Sequence, residues 1–91
     1  TWAAEGIDAS LVERAAGERT GVAQILVFDG GDNSIAVFTG AGDGLGPHHA
    51  EAARATIAAA RVVMAPNEVP GPLTEAAFRI ARAHGVTTLL N

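Results

Sequence analysis

Between Val22 and Phe38 the chain is apolar at nearly every position. Val22-Ala23-Gln24-Ile25-Leu26-Val27-Phe28 is followed by Gly30-Gly31-Asp32-Asn33 and then by Ile35-Ala36-Val37-Phe38. Two runs of β-branched and aromatic residues, separated by residue types that tolerate positive φ, predict a β-hairpin within residues 18–40. Alternation along the first strand sends Ala23, Ile25 and Val27 to one face and Val22, Leu26 and Phe28 to the other. A ribbon wetted on one side would alternate apolar with polar residues, and only Gln24 interrupts this one. Both faces of the hairpin are therefore expected to need covering.

After Gly46 the period changes. Gly46-Pro47 suits a helix start, with proline where its missing N–H costs nothing. Ala50, Ala53, Ile57 and Ala60 then recur at three- and four-residue steps, the stripe of a helix lying on a sheet, with Glu51 and Arg54 on its solvent side. Arg61–Ala65 reads as a short strand without a polar face, as in a parallel sheet covered on both sides. Pro70-Gly71-Pro72 breaks the chain, and a second helix begins near Leu73 with the stripe Leu73, Ala76, Ala77 and Ile80. Glu75 and Arg79 on that helix are spaced for an i,i+4 ion pair of only ~0.3–0.5 kcal/mol. Gly85 ends the helix, and Val86-Thr87-Thr88-Leu89-Leu90 is the next strand. The predicted fold class is α/β: a hairpin, then an αβαβ portion over 46–91 of a doubly wound, mostly parallel sheet with right-handed crossover.

Thr1–Gly6 reads as the last turn of a helix with Gly6 just past its end, and Leu89-Leu90-Asn91 follows a strand directly. With no initiator Met, the chain is expected to be an internal piece of a longer protein, a single partial domain over 1–91. Composition adds limits. The 91 residues contain no cysteine, which removes disulfides and thiolate metal sites and fits a reducing, cytoplasmic compartment. The net charge is −4 and the six basic residues, all Arg, are scattered, which argues against nucleic-acid binding. No apolar run approaches a membrane span and no signal-like segment opens the chain. His48 and His49 project about a hundred degrees apart on a helix, the wrong geometry for a shared metal, and His84 suits a helix C-terminus. No Walker-type loop, Ser-His-Asp set or acid dyad is visible.

Glu68 stands out by position. Ligands of open α/β sheets bind outside the carboxyl ends of strands, and Glu68 follows the strand at 61–65. A carboxylate there can accept hydrogen bonds from hydroxyl groups, although most glutamates are simply solvated.

In their order and spacing, five segments resemble the ribokinase-like (PfkB) carbohydrate kinases. These are Gly17-Glu18-Arg19-Thr20-Gly21-Val22-Ala23, Asp32-Asn33-Ser34-Ile35, Gly40-Ala41 with Leu45, Glu68-Val69-Pro70 and Leu90-Asn91. The resemblance implies a middle portion of a kinase that transfers the ATP γ-phosphoryl to a sugar hydroxyl. It assigns residues 18–40 to a substrate lid and Glu68 to sugar contact. It also implies that Ala23, Ile25 and Val37 cover one face of the sugar, though ordinary sheet packing would bury them equally. The opposite face, with Leu26, Phe28 and Phe38, would meet a second lid in a homodimer. ATP and Mg would be bound by residues outside this chain, no catalytic residue would lie within it, and the isolated 91 residues would be inactive. Two departures stand beside the likeness: Pro66-Asn67 precedes Glu68 where these kinases carry Gln and an apolar residue, and Gly42 replaces an Asn.

Gly40-Ala41-Gly42-Asp43 matches the catalytic tetrapeptide of these kinases, in which the Asp is the base. Here it follows the second lid strand and precedes Gly44-Leu45-Gly46-Pro47, so it reads as a lid-exit loop that needs glycine. Asn67 likewise lacks the Glu three residues on that the family's Asn-x-x-Glu requires, because Pro70 stands there. The alternative function is a noncatalytic α/β binding or dimerisation module. A second Gly-Ala-Gly-Asp opening a helix about a hundred residues downstream would separate the two.

Overall fold

The computed structural model describes residues 1–91 as two units of regular structure joined by turns. The first is the hairpin, β1 (Val22–Val27) against β2 (Asn33–Phe38), antiparallel, with Val22 opposite Phe38 and Ile25 opposite Ile35. Its loop lies one residue earlier than the glycine pair suggested. The Gly31 N–H donates to the Phe28 carbonyl at 2.9 Å and the Phe28 N–H to the Asp32 carbonyl at 2.9 Å. Gly31 alone takes positive φ, at 88°, while Asn33 already belongs to β2. A type I turn closed by a left-handed glycine explains the shift, since it needs one permissive position rather than four.

The second unit follows the predicted order, with helices α1 (Pro47–Ala52) and α2 (Arg54–Ala59), strand β3 (Val62–Ala65), helix α3 (Gly71–Ala83) and strand β4 (Thr87–Leu90). The stripe expected for one helix is divided at Ala53, where φ is −90° and ψ is 5°. The N–H of Ala53 still bonds the His49 carbonyl, and that of Ile57 the Ala53 carbonyl, so this is a bend within a continuing ladder. β3 and β4 pair in parallel, Val62 opposite Thr87 and Ala65 opposite Leu90, with α3 as the connection. Gly85 ends α3 in the left-handed region at φ 71°. The chain's first residues form a 3-10 turn, Trp2–Glu5, closed by Gly6 at φ 71°.

The core lies where α1, α2 and α3 meet beside β4: Ala50, Ile57, Ala76, Ile80, Ala81 and Val86. The alanines let α1 and α3 approach closely. Leu73, Ala77, Ala53 and Val63 pack around this centre, so both predicted stripes face inward. Ile80→Ala, at a site 4 % exposed, is expected to cost about 2–4 kcal/mol, read from urea unfolding of the full-length protein. By contrast the Glu75–Arg79 pair, at 2.7 Å, is open to water and adds little.

Within residues 1–91, helices cover one face of β3 and β4. Val63 packs on the core, but Val62 is 55 % and Met64 69 % exposed, because helices lie on only one face of the pair. Every hairpin residue from Val22 to Phe38 is also exposed. The accessible surface is 7193 Å² for a mass of 9.2 kDa, against about 4,900 Å² for a compact protein of that size. The Cα radius of gyration is 15.8 Å, against about 12 Å expected. The excess belongs to the projecting hairpin and the bare side of β3 and β4.

Candidate functional site

The carboxyl ends of β3 and β4 are held in register beyond the strands. The Asn91 N–H donates to the Ala65 carbonyl at 3.0 Å, and the Asn67 N–H to the Asn91 carbonyl at 2.6 Å. Pro66–Val69 therefore turns at the strand edge before α3 starts at Gly71, and Glu68 sits on that turn, exposed. Its carboxylate makes no hydrogen bond and no ion pair within the chain. An unengaged acceptor at the carboxyl edge of a parallel pair is free to meet hydroxyl donors from a ligand.

On the hairpin, Ala23 lies directly opposite Val37. Ile25 is on the same face one pair further along, opposite Ile35. The register thus brings three predicted residues together and adds Ile35, which alternation from Val37 also puts on this face. Ile25, Ile35 and Val37 are 59 %, 52 % and 67 % exposed, an apolar face with nothing of this chain against it. Leu26, Phe28 and Phe38 belong to the reverse face. Glu68 stands apart from the hairpin on the αβ unit, and no extensive packing joins the two.

The root of the hairpin carries features the sequence did not announce. The Ala41 N–H donates to the Arg19 carbonyl at 2.8 Å, so the chain leaving β2 crosses the chain entering β1. A Cβ on Gly21 would stand 2.9 Å from the Thr39 carbonyl oxygen, and one on Gly40 would overlap the Arg19 carbonyl. Gly40 also has φ 59°. The crossing demands glycine at both places. Gly40–Gly44 forms a 3-10 turn directly after β2, and Asp43 accepts a hydrogen bond from the Thr39 hydroxyl.

Beside this root is an open cavity of about 950 Å³ between Trp2–Gly21 and Phe38–Leu45. His49 stands on its wall, its Nδ1 accepting the Gly46 N–H at 3.0 Å and its Nε2 3.1 Å from the Glu13 carboxylate. Glu13 and His49 are distant in sequence, so no local pattern could pair them. The His48 and His49 rings lie 3.9 Å apart, closer than helical spacing suggested. His84 bonds the Ile80 carbonyl through Nδ1 at 2.9 Å, at the end of α3. Asp8 is held below the ordinary carboxylate range by the Ser10 backbone N–H, with the Ser10 hydroxyl adding to it. No three His, Asp or Glu side chains converge to hold an ion, and no glycine-rich loop opens α3.

An antiparallel apolar hairpin beside a parallel strand pair with helices on one face defines part of an α/β protein. All of residues 1–91 match the pfkB family carbohydrate kinases, and the chain belongs to that family. It is 44 % identical over 85 residues to a ribokinase of Staphylococcus aureus strain COL, covering 93 % of this chain and 28 % of that protein. The crystal structure of Sa239 superposes with a TM-score of 0.90 at 41 % identity, over 99 % of this chain and 30 % of that one. A ribokinase structure from Giardia lamblia, at 23 % identity and TM-score 0.78, shares the fold over 99 % of this chain and 30 % of its own. The fold is thus part of the ribokinase-like α/β architecture, and the chain spans under a third of the length of these relatives.

Proposed function

We propose that residues 1–91 form the substrate-side portion of an ATP-dependent sugar kinase that phosphorylates a sugar hydroxyl. The unengaged Glu68 carboxylate at the carboxyl edge of β3 and β4 carries this reading, in a chain of the pfkB family. Glu68 accepts hydrogen bonds from sugar hydroxyls, and a carboxylate is a strong acceptor for them. Ala23, Ile25 and Val37, joined by Ile35, cover the apolar side of the sugar and exclude water. ATP and Mg are bound by residues outside this chain. The reverse hairpin face, with Leu26, Phe28 and Phe38, forms a homodimer contact, since an apolar face of that extent otherwise promotes aggregation.

The test is ADP release by the full-length protein on a panel of sugars and nucleosides, beginning with ribose, the sugar named by the relatives. Sugar-dependent turnover supports the proposal. A protein that binds a partner but turns over no member of the panel is the noncatalytic module instead. The 91 residues alone are expected to show no turnover, because this reading puts the phosphate-cradling loop and the base outside them. Turnover by the fragment that survives Asp43→Ala would contradict this. Turnover abolished by Asp43→Ala would place the base in the tetrapeptide at 40–43.

A further inference from the structure

No further inference is drawn: the strongest candidate, the Glu13–His49 pair on the wall of the cavity beside the hairpin root, is a single 3.1 Å contact between a ring and a water-exposed carboxylate, and nothing in the structure shows a ligand or partner that meets it.

Discussion

Glu68→Ala in the full-length protein is expected to weaken sugar binding roughly ten- to a hundredfold and leave ATP binding near wild type. The carboxylate accepts hydrogen bonds from hydroxyl groups, and losing a charged acceptor at a closed site costs on the order of 1.5–3 kcal/mol. The fold does not depend on this side chain. Glu68 is exposed, it bonds to nothing in the chain, and its turn is held by the backbone bonds of Asn67 and Asn91. Surface changes of that kind usually move stability by no more than about 0.5 kcal/mol. Glu68→Gln keeps one acceptor oxygen and should fall between the two. Calorimetric titration with sugar and, separately, with a non-hydrolysable nucleotide reads the asymmetry. Equal losses for both ligands would mean a folding defect, and no loss would return Glu68 to the solvated surface.

Apolar runs and periods placed the hairpin, β3, α3 and β4 and read α1 and α2 as one helix, and the reasons differ between them. The helical stripes at Ala50, Ala53, Ile57 and at Leu73, Ala76, Ile80 were legible because burial against one layer repeats at three and four residues. Gly85 was legible as a stop because its left-handed backbone has a direct residue preference. The hairpin loop was displaced by one residue because a Gly-Gly pair does not say which glycine takes positive φ; the hydrogen bonds of Phe28 decide that. The apolar run of β3 was legible as a strand that needs neighbours on both faces, without saying where they are. The place of Glu68 just past a strand was legible because the strand before it was. The Thr39–Asp43 bond needed the path of the chain after β2, and the pairing of Glu13 with His49 needed the fold itself. Residue identity carried local geometry, and contacts between distant segments emerged only with three dimensions.

Phe28→Asp is expected to convert a dimer of the full-length protein into monomers. Phe28, Leu26 and Phe38 occupy one hairpin face at 55 %, 63 % and 59 % exposure, so none is anchored within the chain. Alternation puts them opposite the face that carries Ala23, Ile25 and Val37. One face can therefore close on a ligand while the other meets a second copy. An aspartate at position 28 would be desolvated in that contact without a cation to pair with; a penalty of several kcal/mol weakens association by more than about a hundredfold. The fold should survive, because the side chain is exposed in the isolated chain and the loop hydrogen bonds at residue 28 use only its backbone. Ile25→Asp is the matched control: the same charge on the ligand face should leave the dimer intact and weaken sugar binding. Sedimentation velocity at micromolar concentration, with sugar titration of each variant, reads both faces. A wild type that sediments as a monomer would remove the dimer proposal, because the reverse face would then be covered by the protein's own chain. The ligand face would be untouched by that result, since Ile25→Asp would still have to weaken the sugar.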